Sequence, residues 1–111
     1  LKKLKDLYCR MFEQHKPLAV HDAIWQCSLE TGENYYLRLH SGQLEFGEGR
    51  HAHATLTLYF TSTEIPVQIA AGKLDPMAAF LNGDFRSDSH LLLVMYYLML
   101  FGPLAANADL R

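Results

Sequence analysis

Apolar residues recur along this chain with two periods, and the changes of period mark the elements. From residue 2 to 16, Leu4, Leu7, Tyr8, Met11 and Phe12 fall at helical spacing. Lys2, Lys3, Lys5, Asp6, Arg10 and Glu13 take the positions between, so an amphipathic helix is predicted, stopped by Pro17. The period then shortens to two. Ala23, Trp25, Cys27 and Leu29 alternate with Ile24, Gln26 and Ser28; Tyr35, Leu37 and Leu39 alternate with Tyr36, Arg38 and His40; Leu44 and Phe46 carry a third, shorter run. Turns at Glu30–Asn34 and Ser41-Gly42 separate these runs, which reads as an antiparallel meander of three strands. A fourth strand is expected from about Ala52 to Phe60. Helical signals follow. Thr61, Ser62 and Thr63 are candidate caps ahead of Glu64 and Pro66, and Gly72 is the stop. Asp75-Pro76 opens a second short helix that Asn82-Gly83 ends. Residues 84–87 suit a short strand at an edge or beside the fourth, and Ser87 or Asp88 is the expected cap of a last helix that Gly102-Pro103 terminates, with a tail beyond. Strands first and helices after indicate a single α+β domain, a sheet with helices on one face.

The last helix stands apart. Leu91 to Phe101 reads Leu-Leu-Leu-Val-Met-Tyr-Tyr-Leu-Met-Leu-Phe, with no charge and no polar face. Eleven helical residues span about 16 Å, roughly half a bilayer's hydrocarbon core. A helix that is apolar all round needs cover all round, whereas one sheet covers one side. A second copy of the chain, a membrane surface or a bound lipid are the three candidates for the remainder. Met95, Met99, Tyr96 and Tyr97 suit an apolar pocket with a polar mouth, since methionine adapts to irregular shapes and tyrosine has a polar tip; the same residues also suit a filled core.

Composition narrows the function. The 111 residues are 50% hydrophobic and 20% charged with a formal net charge of −2, which fits one folded domain and gives no electrostatic footprint for nucleic acid. Two cysteines, Cys9 and Cys27, make no disulfide framework. No signal peptide is recognisable, which points to the cytoplasm, although the chain begins at Leu1 and a lost leader stays open. His51 and His53 share a face in the expected fourth strand and could begin a metal site, yet no further ligand beyond the nearby Glu48 completes it. His15, His21, His40 and His90 are scattered and read as surface or helix-end residues. Ser87, Ser89 and His90 lie together at a helix start, where capping explains Ser87 and Ser89, and Gly47-Glu48-Gly49 is too short for a phosphate loop. No catalytic residue, metal site or cofactor is assigned.

One stretch has a familiar order. Thr57-Leu58-Tyr59-Phe60, then Gly72-Lys73-Leu74-Asp75-Pro76-Met77-Ala78-Ala79-Phe80-Leu81-Asn82-Gly83-Asp84-Phe85, then the apolar helix, resembles the sterol carrier protein 2 (SCP2) family. The leading helix, Trp25 on the first strand and Ala54-Thr55-Leu56-Thr57 fit the front half, so the resemblance covers roughly residues 1 to 101. It departs where the family often has Gly after the last strand and this chain has Asp88. The ending Ala108-Asp109-Leu110-Arg111 brings no peroxisomal address.

The resemblance implies a five-stranded, mostly antiparallel sheet with helices on one face, enclosing an apolar cavity. It implies non-catalytic binding of a lipid (a fatty acid, acyl-CoA, sterol or quinone-like molecule), for transport or for presentation to a lipid-processing enzyme or membrane. Members also occur fused to dehydrogenases and alkylsulfatases or as accessory factors of quinone synthesis, so an excised or accessory module is the alternative, as is a ligand-free homodimer. By face and order, the lipid-binding residues would be Trp25, Ile69, Met77, Phe80, Leu81, Phe85, Leu92, Met95, Tyr96 and Met99.

Overall fold

A computed structural model describes residues 2–88 and 91–102. Helix α1 (Lys2–His15) leads through a 3-10 turn at Lys16–Leu18 into strands β1 (Ala23–Leu29), β2 (Asn34–His40) and β3 (Gln43–Glu48). Strand β4 (Leu56–Phe60), helices α2 (Glu64–Ala70) and α3 (Pro76–Leu81), strand β5 (Phe85–Ser87) and helix α4 (Leu91–Phe101) follow. The expected tail and the Ser89-His90 start of the last helix lie outside the described residues.

The strands form one sheet in the order β3-β2-β1-β4-β5. The meander is antiparallel, with Trp25 opposite Leu37 and Leu37 opposite Phe46. Strand β5 runs antiparallel beside β4 at the sheet edge, with Phe60 opposite Phe85. The pairing of β1 with β4 is parallel, Trp25 opposite Leu56 and Leu29 opposite Phe60, so the sheet is mixed. Two adjacent parallel strands need a crossover, and here the chain makes it between Gly49 and Thr55.

That crossing shortens the fourth strand. Residues 51–55, expected as its first half, are irregular, and β4 begins at Leu56. Gln26 explains the difference. It points away from the face that carries Trp25 and Cys27, and its carboxamide holds the crossing segment. Nε2 donates to the Tyr35 and Gly49 carbonyls (both 3.0 Å) and Oε1 accepts from the His51 N–H (2.8 Å). With all of these groups partnered, Gln26 is buried although polar. His53 N–H bonds His51 Nδ1 at 3.0 Å, which curls the segment locally. His51 and His53 therefore sit in a loop and share no strand face.

The short helices end as their sequences require. After α2, Gly72 N–H bonds the Ile69 carbonyl and Lys73 N–H the Gln68 carbonyl; after α3, Gly83 N–H bonds Phe80 O and Asp84 N–H bonds Ala79 O. This paired pattern needs a left-handed residue, supplied by Gly72 (φ +77°) and Gly83 (φ +82°). Asp75 caps α3, its carboxylate accepting from Ala78 N–H at 3.1 Å. Thr63 precedes α2 without a side-chain cap.

Helices cover one face of the sheet. Ala23, Trp25, Cys27 and Leu29 of β1, Tyr35, Leu37 and Leu39 of β2, and Leu56, Leu58 and Phe60 of β4 are all buried. Above them lie Leu4, Tyr8, Met11 and Phe12 of α1, Ile69 of α2, Ala79 of α3, and Val94, Tyr97, Leu100 and Phe101 of α4. The other face is polar, with Arg38 paired to Glu45 at 3.4 Å and the Arg86 guanidinium 5.2 Å from the Tyr59 ring centroid. Among the described residues no helix is long and apolar enough to cross a membrane.

Candidate functional site

Helix α4 divides its apolar surface in two. Val94, Tyr97, Leu100 and Phe101 face the core, while Leu91, Leu92, Met95 and Met99 stay exposed, Leu92 at 81% and Met95 at 57%. Positions 92, 95, 96 and 99 follow the i, i+3, i+4, i+7 spacing of a single helix face. Together with Leu93 and His21 they line an open groove of about 480 Å³. That volume lies within the range of small-molecule sites, and the lining is apolar apart from His21 and the Tyr96 hydroxyl.

Core packing forms the groove's floor. Trp25 reaches up from β1, its Nε1 donating to the Leu93 carbonyl at 2.9 Å and its ring 5.5 Å from that of Tyr96. The Tyr96 hydroxyl is held by the chain ahead of β1. It accepts from the His21 N–H (3.0 Å) and donates to the His21 carbonyl (2.9 Å). Next door, Asp22 accepts from Ser41 N–H and from His40 Nδ1, both at 3.0 Å. The Ser41 N–H and then His40 hold its carboxyl below the usual carboxylate range.

The expected lipid-binding residues thus fall into three groups. Leu92, Met95, Tyr96 and Met99 are brought together in the groove. Trp25, Ile69 and Phe85 are core residues; Phe85 stacks on Phe60 with centroids 5.2 Å apart. Met77, Phe80 and Leu81 are exposed on α3, and the Phe80 ring leans edge-on toward Phe85 at 6.4 Å. His21 and Leu93 were not expected in the lining. His21 lies in a loop, where no periodicity points to a partner on α4.

Between α1, α4 and the sheet, rings fill the space. Phe101 meets Tyr8 (5.1 Å), Trp25 (5.9 Å) and Tyr97 (5.4 Å). Tyr8 also joins two other hydroxyls, those of Tyr35 and Tyr97, each at 2.6 Å. Burial raises all three phenols well above their ordinary value and pushes the adjacent Cys27 thiol up to about 12. The interior hydroxyls are neutral at physiological pH and the thiol is not a nucleophile there. Among the described residues no group of three His, Cys, Asp or Glu side chains is arranged to hold a metal ion.

The architecture has counterparts among solved structures. No family model matches the sequence, and no curated protein matches it by sequence. The sterol carrier protein domain 2 of Helicoverpa armigera superposes with a TM-score of 0.71 at 21% identity, over 99% of this chain and 87% of that one. The fold is that of the SCP2 domain. The ubiquinone synthesis protein UbiJ-SCP2 shares this SCP2 fold with a TM-score of 0.68 at 11% identity, over 99% of this chain and 91% of the other. The sec-alkylsulfatase Pisa1 of Pseudomonas sp. matches with a TM-score of 0.66 at 26% identity over 77% of this chain; the aligned part is only 14% of the alkylsulfatase. In SCP2 terms, the five-stranded sheet and the helices on one face are present as the sequence indicated.

Proposed function

We propose that this chain binds a lipid and performs no chemistry on it, the lipid's apolar tail lying in the α4 groove. The observation that carries this reading is the exposed face Leu92, Met95 and Met99 over a packed core, on a fold shared with a sterol carrier protein. The neighbours' names point the same way, since a sterol, a ubiquinone and a secondary alkyl sulfate are all apolar or amphiphilic molecules. Delivery to a lipid-processing enzyme or a membrane fits a binder of this kind, and the cytoplasm is its proposed location. Met77, Phe80 and Leu81 of α3 supply a second apolar surface for the same ligand.

Each methylene taken fully out of water contributes about 0.8 kcal/mol, up to about fourfold in affinity. A series of saturated fatty acids should therefore bind more tightly with each added carbon until the groove is filled. Trp25 is the single tryptophan, and its contact with Tyr96 makes it a donor for energy transfer to bound cis-parinaric acid. Met95→Asp and Leu92→Asp should abolish transfer with an unchanged circular dichroism spectrum, because both side chains are exposed. Phe80→Asp tests whether α3 takes part. Absence of transfer in the native chain, with no fatty acid or sterol retained in native mass spectrometry, would overturn the reading.

A further inference from the structure

His21 is the one ionisable side chain besides the Tyr96 phenol that lines the groove among the described residues. Its backbone is fixed on both sides by Tyr96, as given above, and its ring stands at 70° to the Tyr96 ring with centroids 6.3 Å apart. That clamp occupies the Tyr96 hydroxyl. The His21 imidazole itself has no hydrogen-bond partner among the described residues. A polar group is thus held against an apolar groove and left available to a ligand.

The charges around it are sparse. Helix α4 has none from Leu91 to Phe101. The turn before the loop carries Lys16, which is exposed. Asp22, the adjacent acid, is turned to the β2–β3 hairpin, where His40 and Ser41 engage it. No described carboxylate competes for the imidazole.

We propose that His21 is the headgroup site of the groove, which takes a single-chain amphiphile with an anionic head. The tail lies along Leu92, Met95 and Met99, the protonated imidazole meets the anion, and binding tightens on acidification. This rests on the reading of the groove as a lipid seat and adds the class of lipid and its pH dependence. Imidazole changes charge between about pH 5 and 8, and a hydrogen bond to an ionised partner is about twice as strong as a neutral one. Proton and anion binding then reinforce each other, as linked equilibria require.

Decanesulfonate keeps its charge over this range, and 1-decanol is its neutral counterpart of equal tail length. Titration calorimetry of both with the native chain, at about pH 8 and about pH 5.5, separates head from tail. The sulfonate should gain roughly fivefold or more in affinity at the lower pH, the scale of a modest linkage, and decanol should gain nothing. His21→Gln should remove the gain and keep decanol binding. His21→Lys should give the tighter sulfonate binding at both pH values. A gain that survives in His21→Gln, an equal gain for decanol, or no strengthening at about pH 8 in His21→Lys would overturn the headgroup site while leaving the lipid groove standing. Failure of both ligands to bind, together with absent cis-parinarate transfer, would remove the groove itself and the headgroup site with it.

Discussion

Tyr8 stands between two other hydroxyls in a dry interior and satisfies both. Its neighbours differ in what they keep if it is lost. Tyr35 also meets the Cys27 thiol, whereas Tyr97 has Tyr8 alone among the hydroxyls. Leaving a buried polar group without its partner costs about 1–3 kcal/mol. Tyr8→Phe breaks two contacts and leaves the Tyr97 hydroxyl without a partner, whereas Tyr97→Phe breaks one and leaves Tyr8 bonded to Tyr35, so urea unfolding should show the larger loss for Tyr8→Phe by about 1 kcal/mol. Equal losses would mean that the middle position has no special weight. The same burial sets an alkaline limit. The folded values of Tyr8, Tyr35, Tyr97 and Cys27 are raised, so their stabilising effect is complete below the unfolded values, about 8.5 for the thiol and about 10 for the phenols. It is lost as pH rises through the folded values, because the unfolded chain then binds fewer protons than the folded one. Tyrosinate absorbance from these three phenols should appear only in step with the loss of the circular dichroism signal. Asp22 acts at the other end. Its lowered value makes its hold on the hairpin turn present above the ordinary carboxylate range and lost as pH falls through the folded value.

Among the elements, α3 is short and depends on its ends. Asp75→Ala removes the bond to Ala78 N–H and should cost about 1 kcal/mol in thermal or urea unfolding; no change would show that Pro76 and the Gly83 turn suffice. This helix was legible in the sequence because a cap, a proline and a stop residue mark it locally. The meander was legible for a similar reason, its inward positions alternating over Ala23–Leu29 and again, beyond the turn, over Tyr35–Leu39. The crossover was not. His51, Ala52, His53 and Ala54 alternate as a strand would, and only the distant Gln26 side chain shows that this segment is committed to passing over the sheet. The candidate site was legible in part. The spacing of Leu92, Met95, Tyr96 and Met99 puts them on one face, but an all-apolar helix gives no sign of which face is covered. Alternation places Trp25 and Phe85 inward without saying whether they line a space or fill one, and here they pack in the core. His21 was illegible, since it meets Tyr96 across 75 positions of sequence.

For the whole molecule the open question of cover on α4 becomes one of partner. A groove for lipid and an interface for a second copy would use the same face, and they differ in mass. Sedimentation at micromolar concentration should give a monomer whose mass does not change in Met95→Asp, while lipid uptake is lost. A dimer that resists dilution and falls apart in Met95→Asp would assign the face to a second copy of the chain instead.

The hydroxyls of Tyr8 and Tyr97 lie 89 positions apart in sequence, and this bears on how the protein is made. A ribosome adds about 5–20 residues per second, so the first helix emerges several seconds before its partner has been translated. The meander can pair during that wait, but its inner rings stay wet until the greasiest segment arrives. A nascent chain stalled before α4 should therefore be a substrate for chaperones, and release of that last helix should be the moment at which protection begins.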